Sequence, residues 1–259
     1  MVEGRRHGTA ASLRLLIGGL LDLVYPPRCL VCEQYDTPSL CENCAAAFTA
    51  IPEPLCQICG RPMEPEMKGV CRTCEAHRQE SGKDWAFDGA RSAGIFEGSL
   101  RHAVHQLKYN GGESLGPALG AYLANCLGGF ELFTKEQMGT IDGVLAVPMH
   151  PVRERNRGFN QAALLAAPVA EMLGVPLLSS TTVRRSRRPA QVGLSSTARR
   201  RNLTNAFVVS PEEVLRLQGR QILVIDDVFT TGTTVNACAA ALRDAGANRI
   251  LIATLAGGG

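Results

Sequence analysis

The sequence predicts an α/β protein in which a parallel β-sheet flanked by helices follows a small cysteine-rich N-terminal module. Three observations carry that reading. Eight of the ten cysteines fall between Cys29 and Cys74, in four Cys-x2-Cys pairs. An apolar run at residues 222–225 ends in Asp226 and Asp227, as a buried parallel strand does at its carboxyl edge. A Thr/Gly loop and a helical stretch closed by Gly246 follow at once. With 259 residues, 45% hydrophobic and 20% charged, the composition is that of a globular chain of one or two domains, which excludes disorder along its whole length. Aromatics at 5% argue against a protein built from base-stacking platforms.

Residues 10–24 read as a short helix with one apolar face (Leu13, Leu16, Ile17, Leu20, Leu21 and Val24). The alternatives are docking on the rest of the chain and lying on a membrane surface. Arg14 and Asp22 interrupt the stretch, so it falls short of the ~20 apolar residues of a membrane span. Tyr25-Pro26-Pro27-Arg28 offers no small-residue cleavage site. Residues 1–24 are therefore taken as a docking tail, 25–80 as a cysteine module and 85–259 as the α/β domain. The chain is expected in the cytoplasm, where thiols stay reduced.

The pairs are Cys29/Cys32, Cys41/Cys44, Cys56/Cys59 and Cys71/Cys74. A two-residue gap lets one tight turn present two sulfurs to a single zinc ion, and zinc takes four ligands. Eight thiolates satisfy two structural zinc ions with none left over. Gly60 after Cys59 suits the turn that closes such a knuckle. Spacing leaves sequential and interleaved pairing both open, while a disulfide scaffold would need a secreted protein. So short a segment with few large apolar side chains takes its folding free energy from metal. Residues 25–80 hold five basic side chains against eight acidic ones. Each four-thiolate site adds about −2, so the loaded module is acidic, at about −7. A surface that grips DNA should be basic, so this module reads as structural or docking.

The positive charge lies elsewhere. Residues 153–201 hold ten arginines and no lysine, opposed only by Glu154 and Glu171, for a net +8. Guanidinium forks bind phosphate oxygens bidentately, so the cluster points to a phosphate-bearing ligand. Ser186, Pro189, Gly193, Ser195 and Ser196 mark a loop there.

The most informative stretch runs from Gln221 through Asp226, Asp227, Val228, Phe229, Thr230, Thr231, Gly232, Thr233 and Thr234. Backbone N–H groups of a Thr/Gly loop opening a helix form an anion site, and ligands of open α/β sheets bind at the carboxyl ends of strands. Adjacent acids suit a ligand that also offers hydroxyls or carries Mg²⁺. Because no Gly-Lys-Ser/Thr follows, this is not a Walker loop.

These residues resemble the phosphoribosyl pyrophosphate (PRPP) motif of the type I phosphoribosyltransferases. The resemblance implies a phosphoribosyltransferase-like sheet. Asp226 and Asp227 would then meet the ribose hydroxyls, and Thr230, Thr231, Gly232, Thr233 and Thr234 the 5′-phosphate. Phe229 is bulkier than the aliphatic residue commonest there. Further stretches look like the ComF (competence protein F) family, which joins a double zinc ribbon to such a domain. They are Pro26-Pro27-Arg28-Cys29, Leu107-Lys108-Tyr109, the Arg157-Gly158-Phe159-Asn160-Gln161 run, Gln191-Val192-Gly193-Leu194 and Arg199-Arg200-Arg201-Asn202. By that analogy the loop after Val147 faces pyrophosphate through His150 and Arg153 or Arg157, with Arg199 in the phosphate-binding set. Residues 184–201 would then form the hood over the site. His150, between two prolines, reads either as an acid/base group or as a fixed loop residue. Lys108 and Tyr109 either border the site or end an exposed helix. Cys126 and Cys238 read as core, and His77 as a substitute ligand for the last knuckle.

Three functions remain open on the sequence. The chain reads as a pentosyl-transferring glycosyltransferase using PRPP-Mg, serving DNA uptake, competence or nucleotide salvage. It also reads as an accessory binding PRPP or single-stranded DNA through residues 153–201, beside a DNA-uptake partner, or as a PRPP-sensing regulator. In outline, residues 86–96 read as a hairpin, with helices at 98–108, 114–127, 159–173 and 234–245. Strands are expected at 141–147, 222–226 and 249–254, edge pieces near 177–183 and 205–209, and a frayed end at 256–259.

Overall fold

The computed structural model describes residues 26–109, 112–179, 182–185 and 206–258. The helix expected at 10–24, Arg199 and most of the Arg-rich hood lie outside the described residues. The elements are α1 (Glu42–Ala46), α2 (Arg72–Ser81), β1 (Gly89–Ile95), α3 (Gly98–Tyr109), α4 (Leu115–Leu127), α5 (Lys135–Met138), β2 (Gly143–Ala146), α6 (Pro151–Arg157) and α7 (Gln161–Leu173). They continue with β3 (Val183–Arg185), β4 (Phe207–Val209), α8 (Pro211–Leu217), β5 (Gln221–Phe229), α9 (Thr233–Asp244) and β6 (Arg249–Gly257).

Four strands form one all-parallel sheet in the order β1-β6-β5-β2. Parallel sheets are covered on both faces, and the alternation along β5 shows how. Leu223 and Ile225 enter a core with Leu107 of α3, Leu119 and Leu123 of α4, and Leu165 and Val169 of α7. Ile222 and Val224 face the other way, toward Cys238 and Leu242 of α9.

Several expectations are corrected. Residues 86–96 do not form a hairpin. The Asp88 carboxylate accepts the Ile250 N–H and an Arg243 N–H, each at 2.7 Å, and so starts β1 as a single strand parallel to β6. Residues 256 and 257 are not frayed, since β6 continues to Gly257 and pairs there with both Ile95 and Phe229, while Gly259 lies outside the described residues. The edge pieces do not extend the main sheet as strands. Leu177 makes one parallel bridge to Val144, and β3 pairs antiparallel with β4 in a separate two-stranded sheet. The loop after Val147 contains the helix α6, which His150 caps and Pro151 opens, proline being suited to the first helical position.

The cysteine module packs along the outer edge of β1. Ala90 donates its N–H to the Ile58 carbonyl at 2.7 Å, and Ile95 donates to Thr49 at 2.8 Å. Arg91, 8% exposed, spans the seam, with Nη1 3.4 Å from the carbonyls of both Cys56 and Gln57. An otherwise bare strand edge is thereby covered. Gly60 is required at this seam: its φ is +67°, and a Cβ there would sit 2.5 Å from the Ala90 oxygen.

Candidate functional site

The eight cysteines gather into two tetrads, Cys29/Cys32/Cys41/Cys44 and Cys56/Cys59/Cys71/Cys74, which settles the pairing as sequential. Within each tetrad all four sulfurs lie within 4.8 Å of one another. A tetrahedron with Zn–S bonds of about 2.3 Å has edges of about 3.8 Å. The sulfur separations Cys32–Cys41, Cys56–Cys74 and Cys59–Cys71 are 3.7, 3.9 and 3.6 Å. Backbone amides point at the sulfurs: Val31 and Cys41 donate to Cys29 Sγ at 3.4 Å, and Cys71 donates to Cys56 Sγ at 3.3 Å. Burial opposes ionisation of Cys29, but the amides of Cys41, Cys32 and Val31 outweigh it and bring the thiol down to about 6. Both donor sets fit structural zinc. His77 does not substitute in the second, because its ring stacks on Trp85 with centroids 3.7 Å apart. Cys238 is fully buried, which pushes its thiol up and keeps it inert.

The Thr/Gly loop lies at the carboxyl end of β5. Gly232, at φ +75°, is the N-cap of α9, and Thr230, Thr231, Thr233 and Thr234 are exposed around it. The Thr231 and Thr233 hydroxyls are 2.8 Å apart, and the Thr233 N–H reaches Thr231 Oγ1 at 3.4 Å. Helix α9 has 12 residues, so its dipole favours an anion at this end.

The two aspartates are not equivalent. Neighbouring residues of a strand face opposite sides, so Asp226 lies on the α9 face and Asp227 on the α3 face. Asp226 is half-buried, and its Oδ1 accepts the Asp227 N–H at 2.9 Å. Asp227 is 5% exposed. Its Oδ2 lies 2.8 Å from Lys108 Nζ in a largely buried ion pair. Lys108 is thus fixed against Asp227 at the end of α3.

Beyond Lys108 opens a cavity of about 510 Å³ lined by Lys108, Tyr109, Arg153, Asn156, Arg157 and Phe159. The Arg157 guanidinium lies 5.4 Å from the centre of the Tyr109 ring, and Tyr109 is 65% exposed. The Arg157-Gly158-Phe159-Asn160-Gln161 run is a helix junction. Gly158 ends α6 at φ +89°, and Asn160 caps α7 while donating to the Val147 carbonyl at 3.0 Å. Arg157 Nη1 donates to Gln161 Oε1 at 2.5 Å. His150 Nδ1 accepts the Val152 N–H at 3.3 Å, so the ring caps α6, and His150 does not line the cavity. Two residues that sequence reasoning missed, Arg61 and Trp85, lie beside the Thr/Gly loop. No local pattern flagged them, since both arrive there through tertiary packing.

A doubly covered parallel sheet with an acid pair and a Thr/Gly loop at its carboxyl edge, joined to two cysteine tetrads, defines a phosphoribosyltransferase-like protein with a double zinc ribbon. Comparison with family models agrees: residues 20–75 match the double zinc ribbon domain and residues 160–259 the phosphoribosyl transferase domain. The chain is 30% identical over 210 residues to the DNA utilization protein YhgH of Salmonella typhimurium, covering 76% of this chain and 88% of that protein. It is 36% identical over 122 residues to competence protein F of Haemophilus influenzae, covering 46% and 52%. Over 207 residues it is 25% identical to competence protein ComFC of Bacillus subtilis, covering 80% and 79%. The chain belongs to this ComF/YhgH family. No helix among the described residues is long and apolar enough to cross a membrane.

Proposed function

We propose that the chain binds PRPP with Mg²⁺ at the β5–α9 loop and serves the use of incoming DNA as competence protein or in nucleotide salvage. The observation that carries this reading is the position of Gly232, left-handed at the N-terminus of α9, with four exposed threonines around it and Asp226 just upstream. In this reading the 5′-phosphate takes the amides and hydroxyls of Thr230, Thr231, Gly232, Thr233 and Thr234. Asp226 meets the ribose hydroxyls. Asp227, held by Lys108, donates its N–H to the Asp226 carboxylate and contributes negative charge beneath the sugar. Arg153 and Arg157, facing one cavity with Lys108, take the pyrophosphate.

The donor set suits magnesium, which is held by one or two carboxylates plus substrate phosphates. Asp226 is the accessible carboxylate, while Asp227 is buried and its Oδ2 faces Lys108. When bound, the cation neutralises the leaving pyrophosphate. Phosphoribosyl transfer builds positive charge on the sugar and negative charge on pyrophosphate. Arg153 and Arg157 oppose the second, and the two aspartates the first. His150 orients α6, on which both arginines sit.

Calorimetry of the full chain with PRPP-Mg tests binding, and pyrophosphate release with a panel of bases and nucleotides tests turnover. Asp226→Asn combined with Asp227→Asn is expected to abolish the heat of binding while leaving two zinc ions per chain. Undiminished affinity in that variant overturns the site, and no pyrophosphate release with any acceptor leaves a sensor or accessory. A second reading rests on the exposed Tyr109 beside Lys108, Arg153 and Arg157. Aromatic and cationic groups on one face suit single-stranded nucleic acid, which fits the names of the relatives.

A further inference from the structure

The cysteine module reaches the Thr/Gly loop by two routes. In the first, Arg61, two residues past Cys59, donates from Nη2 to the Thr230 carbonyl and lies 3.4 Å from Thr73 Oγ1 through Nη1. Thr73 sits between Cys71 and Cys74, so one guanidinium joins the start of the loop to the second tetrad. Within a trans peptide plane the C=O and the following N–H point in opposite directions. Holding the Thr230 carbonyl on the ribbon side therefore aims the Thr231 amide away from the ribbon. In the second route, Trp85 Nε1 donates to Cys74 Sγ at 3.3 Å, and Trp85 packs on Phe87, which meets Phe229 edge to face. A Cβ on Gly232 would lie 2.8 Å from Phe229 Cζ and 3.4 Å from Trp85 Cη2, so the turn of the loop rests on these two rings.

We propose that Arg61 is a positioning residue of the anion loop, which makes the second ribbon a working part of the ligand site. The proposal rests on the PRPP reading above. A guanidinium that fixes the loop's backbone acts on the 5′-phosphate subsite and not on the pyrophosphate subsite of Arg153 and Arg157. Calorimetry of the full chain with PRPP-Mg, ribose 5-phosphate and pyrophosphate separates the two. Arg61→Ala is expected to weaken PRPP-Mg and ribose 5-phosphate by about tenfold, the scale of one charge-assisted hydrogen bond. Pyrophosphate affinity and two zinc ions per chain should be retained, and Arg61→Lys should recover part of the loss. Trp85 is the chain's single tryptophan, so ribose 5-phosphate should change its emission in the wild type and less so in Arg61→Ala. If Arg61→Ala loses zinc, Thr73→Val, which removes the exposed second anchor, carries the test with a smaller loss of the same selectivity. Equal affinities in variant and wild type overturn the positioning role alone, as does a loss that includes pyrophosphate. A wild type that binds neither PRPP-Mg nor ribose 5-phosphate overturns the PRPP reading and this proposal with it.

Discussion

At the residue scale the acid pair is the telling feature. In the sequence Asp226 and Asp227 are interchangeable, yet the alternation of a strand gives them different surroundings. Asp226 stays half-exposed near the loop, whereas Asp227 is buried against Lys108. Removing one partner of such a pair leaves a poorly solvated charge. Asp227→Asn alone is therefore expected to lower stability by about 2 kcal/mol, below the cost for a fully buried pair because the Lys108 side chain is 22% exposed. Asp226→Asn keeps the oxygen that accepts the Asp227 N–H and should cost less stability but more ligand affinity. Denaturant midpoints beside calorimetric titrations check this split; equal destabilisation by the two variants would contradict it.

At the element scale the site is a strand, a turn and a helix whose junction depends on one glycine. Gly232 adopts φ +75°, a conformation that a Cβ disfavours by about 1 kcal/mol or more. Here the added carbon would also sit 2.8 Å from Phe229 Cζ. Gly232→Ala is expected to weaken PRPP-Mg binding at least tenfold and to lower the melting temperature by several degrees. Wild-type affinity in this variant would mean that the loop's shape is not what holds the ligand. The Thr/Gly loop was legible because its chemistry is local, and so was α9, which Gly246 closes. The helices α6 and α8 were not read, although His150-Pro151 and Ser210-Pro211 carry the signature of a cap followed by proline. Each is only seven residues long, too short for hydrophobic periodicity to register.

At the scale of the whole molecule the charge is divided: an acidic ribbon on one edge of the sheet and, among the described residues, Arg153, Arg155 and Arg157 beyond the carboxyl end of β2. Counterion release favours the basic face for any polyanion. Arg153→Glu with Arg157→Glu is expected to weaken single-stranded DNA binding by an order of magnitude or more at low salt and to flatten its salt dependence. Gel retardation of the full chain measures it. Retention as tight as the wild type's would place DNA elsewhere, with the ribbon first in line. The full chain is the proper sample, because the ribbon covers the β1 edge and a domain cut away from it would expose those backbone groups.

The sequence by itself determined what depends on covalent spacing and short-range chemistry. Four Cys-x2-Cys pairs specify two four-sulfur sites, and an apolar strand running into acids and a Thr/Gly turn specifies an anion loop. Gly60 and Gly232 mark turns that only glycine makes easily. Tertiary structure decided what depends on which surfaces meet. It chose sequential over interleaved cysteine pairing, made residues 89–95 one parallel strand instead of a hairpin, and carried β6 through to Gly257. It also set Lys108 on Asp227 and brought Arg61 to Thr230 across 169 positions of chain. Contacts over such separations come from burying two faces of a sheet and covering its edge, and no window of sequence encodes the partner a surface will find.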